Sequence, residues 1–328
     1  MFIRKKYVIF FLLFCMGIIL VACTPKTEII GTENTDDSTL QATDTIEGEE
    51  IQNVYITCAA AEGLSAYSLT KILYEQPTLT EGITLDYKLY NDVASLKEAL
   101  SNKEPSIAVL PFTLAIDTLV EQDDYKLLGV AKGNNHLLLG IESLYDVKGK
   151  SIKVYDPSGY QGLYSSSIKR LTHDLALKGL ILDRDYTLSY IDAMEDMVQT
   201  SPNDLLMIEE VYLDNPQFKS YNNYVTLDEV EDYQLAVIVQ RDAYEVYPEL
   251  VSSFNNAYYR ACIWLSANPE RAIAYAMQID TTQTTMPVRS IYYFNADKSI
   301  NQILQMIDWL GYRQNIKERI SNSVYKGQ

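Results

Sequence analysis

The chain has 328 residues, with 27 Lys and Arg against 44 Asp and Glu, for a net charge of −17 at neutral pH. That balance argues against nucleic acid or an anionic lipid surface as a partner, because both are held by clustered cations. The sequence has four cysteines and no Cys or His spacing suited to a metal, so neither a disulfide framework nor a metal centre is expected.

Taken in chain order, the sequence opens on Arg4, Lys5 and Lys6, and an unbroken apolar run follows over residues 7–22. This is the pattern of an export signal. At 16 residues the run is shorter than the roughly 18 of a spanning helix. An acidic, Thr-rich stretch follows it in place of a basic flank. Residues 23–50 are dominated by Thr, Glu, Asp and Gly, too polar to bury a core, and are expected to be a flexible acidic spacer. Removing residues 1–22 takes three basic residues and no acidic one, which moves the net charge to −20 and leaves 306 residues. Chains of that size tend to divide into two lobes.

From residue 54 onward, short apolar runs alternate with helically spaced ones, the βαβ signature of an α/β protein with parallel sheets. Strands are expected at 54–59, 83–90, 107–110 and 125–131, and helices at 64–74, 93–100 and 114–120. The pattern then restarts with a strand at 152–155, the loop Asp156-Pro157-Ser158-Gly159, a helix at 160–178 that Gly179 can cap, and a strand at 205–208. The tail adds a strand at 235–240, a helix opened by Pro248, another opened by Asn268-Pro269, and a last one at 300–310. The expected division is one lobe from 51–141 plus 235–328 and a second from 142–234, with crossings near 141–143 and 232–235. Cys58 and Cys262 fit either buried small apolar residues or a bridge. The 26 tyrosines supply half-buried packing and material for an aromatic pocket wall. His136 and His173 stand apart from any Cys, Asp or Glu pattern and read as surface or hinge residues.

Two resemblances follow from particular residues. Leu20-Val21-Ala22-Cys23 resembles the lipobox of bacterial lipoproteins, which implies that Cys23 is acylated and becomes the mature N-terminus. Each buried lipid methylene is worth about 0.8 kcal/mol, so such an anchor would hold the protein on the extracytoplasmic face of the cell membrane. Further along are Gly63-Leu64-Ser65-Ala66, Ile107-Ala108-Val109-Leu110-Pro111 and Leu144-Tyr145-Asp146-Val147-Lys148-Gly149-Lys150-Ser151-Ile152. Tyr247-Pro248-Glu249-Leu250-Val251 and Asn268-Pro269-Glu270 complete the series. In their order and spacing these resemble the type II periplasmic binding proteins of the nitrate, sulfonate and thiamine-precursor group. The sequence departs from that group at Glu209-Glu210-Val211, where Pro-Glu-Pro is frequent, and at Pro105-Ser106, where an aspartate is frequent. The resemblance implies two lobes, each a mainly parallel sheet flanked by helices, with a ligand cleft between them. It also implies a monomer that uses no cofactor, binds a small molecule and hands it to an ABC-type permease.

In open parallel sheets, ligands bind beyond the carboxyl ends of the strands. That rule selects Glu62, Gly63, Leu64 and Ser65; Pro111, Phe112 and Thr113; Ser158, Gly159, Tyr160 and Gln161; and Glu210. Three of the four loops lead into helix N-termini, whose free N–H groups hold polar or anionic groups without any Arg or Lys. Gly63 and Gly159 permit close backbone approach. Ser65, Thr113 and Ser158 have helix capping as their alternative role, and Phe112 and Tyr160 either stack on a flat ligand or pack. Glu210 is either a surface charge or a selector for a donor-rich ligand. Two other functions fit the same fold: an enzyme of the thiamine- or menaquinone-pathway type, and a sensory or adhesion lipoprotein. Against the enzyme, the Cys-rich loop and consumed His of the pyrimidine-synthase relatives are missing from the sequence.

Overall fold

The computed structural model describes residues 54–326, apart from 62, 134, 157–164, 192, 200, 202, 214, 228–232 and 280–289. The expected signal, the spacer and Cys23 lie outside the described residues.

The elements run β1 (Val54–Ala61), α1 (Leu64–Glu75), β2 (Ile83–Tyr90), α2 (Val93–Ser101), β3 (Ile107–Pro111), α3 (Phe112–Glu121), β4 (Tyr125–Lys132) and β5 (His136–Leu139). Next come β6 (Ser151–Tyr155), α4 (Ser166–Leu177), β7 (Thr187–Ile191), β8 (Asp204–Glu209) and β9 (Tyr224–Thr226). The chain closes with β10 (Leu235–Gln240), α5 (Arg241–Val246), α6 (Pro248–Ala267), α7 (Pro269–Gln278), β11 (Tyr292–Asn295), α8 (Ile300–Trp309) and α9 (Gln314–Asn322).

These strands form two sheets with one internal plan. The first has the order β11-β4-β10-β3-β1-β2 and the second β7-β6-β8-β5-β9. In the first, β1 is parallel to β2 and β3, while β10 is antiparallel to both β3 and β4. In the second, β6 is parallel to β7 and β8, while β5 is antiparallel to both β8 and β9. Each sheet therefore holds one inner antiparallel strand, and in each case that strand is delivered by the chain arriving from the other sheet. Two lobes result, joined by two crossovers.

Pairing also fixes where the crossovers lie. β5 enters with His136 opposite Glu209, the last residue of β8, and β10 enters with Leu235 opposite Pro111, the last residue of β3. Both crossovers thus meet the sheets at the carboxyl ends of their parallel strands, the edge from which ligand loops emerge. The first crossover falls at residues 133–135, upstream of the expected boundary. His136–Leu139 hydrogen-bonds into the second sheet, although the sequence reading assigns it to the first lobe. Its apolar residues serve either sheet equally well, so only the partner decides.

The first lobe buries both faces of its sheet, as expected of near-continuous apolar strands. Ala59, Ala108, Leu110, Leu127 and Ile238 face a cluster with Leu96, Phe112, Leu119, Ile303 and Ile307 from α2, α3 and α8. Cys58, Ile107, Val109, Val237 and Val239 face another with Leu69, Phe254, Tyr258 and Leu265 from α1 and α6. Cys58 and Cys262 are both buried free thiols. Among the described residues of the second lobe, one face is covered by a long helix: Ile152, Val154, Leu205 and Met207 pack on Ile168, Leu171 and Leu175 of α4. The other face meets Met197, Tyr212 and Phe218 from irregular segments.

Candidate functional site

The strand ends place the first-lobe loops as expected. Gly63 stands between β1 and α1 with φ 101 and ψ −149, a conformation that only glycine adopts without strain. It is the N-cap of α1 and offers no side-chain cap, so the first turn of that 12-residue helix keeps free N–H groups. Leu64 and Ser65 are the first two helical residues. Ser65 is not a cap: it is buried, and its carbonyl accepts from Ser68 Oγ at 2.6 Å. Ser68 Oγ in turn accepts from the Tyr258 hydroxyl at 2.8 Å, so α6 pins the first turn of α1 from beneath. Pro111 is the N-cap of α3, without a side-chain cap. Phe112 and Thr113 follow it fully buried, the Phe112 ring lying 6.0 Å from Tyr233 within the core. Phe112 has the packing role of its two sequence readings.

On the second lobe, Glu210 opens a 3-10 turn after β8. Its amide donates to the Asn135 carbonyl at 2.8 Å and its carboxylate accepts from Asn135 Nδ2 at 3.0 Å, which ties it to the first crossover. Glu62, Ser158, Gly159, Tyr160 and Gln161 lie outside the described residues.

Three groups absent from the sequence reading of the site join the two halves. α4 is capped by Ser165, whose Oγ accepts from the Ile168 amide at 3.3 Å, and Ser166 and Ser167 are buried in its first turn. Ser167 Oγ lies 2.9 Å from His136 Nδ1, and Gln234 Nε2 lies 3.5 Å from the same nitrogen. The Gln234 backbone bridges β4 and α3: its N–H donates to the Ala131 carbonyl at 2.9 Å, and its carbonyl accepts from the Phe112 amide at 2.9 Å. A Cβ at Gly133 would collide with the Gln234 side-chain amide and stand 3.3 Å from Leu64 Cδ2. A continuous row therefore runs Leu64, Gly133, Gln234, His136, Ser167. It sets the N-terminus of α1 and that of α4 on either side of the crossovers. His136 sits where the chain arrives from the first lobe, in contact with Ser167 and Gln234, and the Ser165–Ser167 run is a capping signal that points to it.

No protein-family model matches the sequence, and no curated protein matches it either. Solved structures do match. An ABC transporter from Parabacteroides distasonis superposes with a TM-score of 0.60 at 17% identity, over 84% of this chain and 100% of that one. The periplasmic aliphatic sulphonate-binding protein SsuA from Escherichia coli gives a TM-score of 0.60 at 15% identity, over 83% of this chain and 97% of that one. A Candida albicans protein described as having the generic periplasmic binding protein fold gives 0.53 at 11% identity, over 84% and 97%. The chain has the type II periplasmic-binding-protein fold.

The paired crossovers join the two lobes at the carboxyl ends of their parallel strands. The row of Gly133, His136, Ser167 and Gln234 lies at those crossovers. Among the described residues, no group of three or more His, Cys, Asp or Glu side chains is placed to hold a metal ion. No described helix is long and apolar enough to cross a membrane.

Proposed function

We propose that the protein is an extracytoplasmic solute receptor, which captures a small molecule in the cleft between its lobes and delivers it to an ABC-type membrane permease. One observation carries the reading: α1 and α4, one from each lobe, begin on either side of the same two crossovers, α1 with an uncapped first turn and α4 with Ser165, Ser166 and Ser167 at its start. Closure around a solute would bring both sets of N–H groups onto it, and rotation about the two crossovers, which His136 and Gln234 flank, would set the closed state. Glu62, Gly63, Leu64 and Pro111 form the first-lobe wall in this reading, backed by the buried Ser65, Phe112 and Thr113. Ser158, Gly159, Tyr160, Gln161 and Glu210 form the second. The fold neighbours described as an ABC transporter and a sulphonate-binding protein support the same reading.

The test is a thermal-shift screen against sulfonates, nitrate, pyrimidines, thiamine, riboflavin and amino acids. A ligand at about 100 times its Kd adds roughly 2.7 kcal/mol and raises the melting temperature measurably. No shift with any of these classes would remove its support. The lipid-anchored location is part of the proposal and has its own test. Cys23→Ser should free the protein from membranes without altering its melting curve, and wild-type protein that takes up no labelled fatty acid would exclude the anchor.

A further inference from the structure

Away from the crossovers the lobes meet a second time, along α4. Lys169, Arg170 and His173 lie on one side of that helix, spaced so that they share a face. They meet the corner between α8 and α9. The Arg170 guanidinium sits 4.7 Å from the Trp309 ring centre, the His173 ring lies 5.4 Å from it, and Lys169 Nζ is 5.6 Å from the Tyr312 ring centre. Tyr312 is itself held to the first lobe, its hydroxyl donating to Asp117 Oδ1 at 3.0 Å. On the α4 side, Asp174 lies 3.7 Å from Arg170 Nε and 3.6 Å from His173 Nδ1. Arg170 is only 3% exposed, and burial lowers the pKa of Lys169, partly offset by Asp117.

Buried cations against aromatic faces make a contact of a particular kind. The ring quadrupole attracts the charge, but desolvation of the guanidinium opposes burial, so the net is small and reversible. We propose that the α8–α9 corner, through Trp309 and Tyr312, is a releasable strap that grips α4 and fixes the relative orientation of the two lobes. The strap lies outside the proposed ligand walls, so it would set how readily the cleft changes shape without touching the solute. It takes the two-lobed receptor reading as its frame, but its test needs no ligand.

The probe is a pair of spin labels on exposed residues of the two lobes, Glu98→Cys on α2 and Ala176→Cys on α4, in the full-length chain with Cys15 and Cys23 changed to Ser. Cys58 and Cys262 are each 1% exposed and escape the label. In the parent chain, one interlabel distance should dominate. Trp309→Ala should shift the population toward a second distance by about tenfold, with melting curves confirming a folded protein. Trp309→Phe, which keeps an aromatic face, should restore the parent distribution, and Trp309→Leu, which keeps only bulk, should not. An unchanged distance in Trp309→Ala, or a Leu variant as good as the Phe variant, would overturn the strap. If the alanine variant does not fold, the Phe and Leu variants decide it alone. A strap found without any ligand response in the thermal screen would leave the strap standing and the receptor reading in trouble.

Discussion

The two lobes share a strand order and a direction pattern, yet differ in what covers them. The first sheet is sandwiched between helices on both faces, with two large apolar clusters. The second has α4 on one face and mainly turns on the other. A sheet closed on both faces can lose little backbone freedom, whereas a turn-covered face opens at lower cost. The difference suggests a division of labour: a firm first lobe that carries α1 and the strap, and a softer second lobe that moves. Each prediction below tests that contrast.

The largest effects should come from cavities in the two cores. Phe254→Ala, in the fully buried face beneath α6, should cost about 3–5 kcal/mol, and Leu171→Ala, in the α4 face of the second lobe, about 2–5 kcal/mol. The location of the loss is the informative part. Both tryptophans, Trp264 and Trp309, belong to the first lobe. Trp309 also faces α4 of the second lobe, so in a Trp309→Phe background the remaining Trp264 fluorescence follows the first lobe, while circular dichroism follows both. In urea, Leu171→Ala should bring the circular dichroism transition to lower denaturant than the fluorescence transition, and Phe254→Ala should shift both. Coincident transitions in the Leu171 variant would mean that the lobes unfold as one unit and that the contrast is only geometric.

Alkaline pH should separate the lobes in the opposite sense. In the first, burial pushes the Cys262 thiol up to about 12 and the Cys58 thiol higher still. Burial likewise raises the hydroxyls of Tyr87, Tyr125, Tyr258, Tyr293 and Tyr312. The second lobe has Tyr186, pushed up to about 12, with Tyr190 and Tyr221 raised less. For an acid whose folded pKa is raised, the folded chain keeps a proton that the unfolded chain releases. Stability is therefore whole below the unfolded value, near 9 for the thiols and 10 for tyrosine, and falls as pH rises above it. Each such group adds a slope of about 1.4 kcal/mol per pH unit. Urea unfolding at about pH 8 and about pH 10 should show the larger loss in the fluorescence transition, and Cys262→Ala should flatten it.

Legibility in the sequence follows the same contrast. First-lobe strands such as Ile83–Tyr90 and Leu235–Gln240 match their expected bounds, because apolar residues and turn signals delimit them. The second lobe hid β7, which is only partly buried, and β9, three residues long. α9 was invisible for a related reason: its one fully buried residue is Ile320, so no apolar stripe announces it. At the site, the loops after β1 and β3 could be placed from strand ends alone. The start of α4 could not, because the helical spacing runs on toward residue 160 and masks the Ser165 cap. His136 gains its role from a partner 31 residues away in the chain, which no local pattern reports.

Gly63 gives a mid-sized test. At φ 101, an alanine would add strain of about 1–3 kcal/mol in the lobe read as firm, and it would disturb the first turn of α1. Gly63→Ala should lower the melting temperature and weaken whichever ligand the screen identifies. Gly179, at φ 79 in the second lobe with nothing within 4 Å of an added Cβ, is the control: Gly179→Ala should cost stability without touching affinity. Equal losses of affinity in both would show that strain anywhere in the chain, rather than strain at the α1 start, is being felt.

The smallest effect concerns the contact at the crossover itself. Ser167 Oγ and His136 Nδ1, 2.9 Å apart, join α4 to the first residue of β5, where the chain arrives from the first lobe. A partly buried side-chain hydrogen bond of this kind is worth about 0.5–1.5 kcal/mol. Ser167→Ala should cost roughly that, His136→Ala somewhat more because Gln234 Nε2 also lies 3.5 Å from the same nitrogen. The double variant should then lose less than the sum of the two. That shortfall, about 0.5–1.5 kcal/mol in a double-mutant cycle, is the coupling across the hinge residue. The same cycle with the interlabel distance as readout tells the two roles of the pair apart. If the contact merely packs the second lobe, coupling appears in the unfolding energies alone. A hinge role requires coupling in the distance distribution as well, since His136 is then the residue about which the second lobe turns.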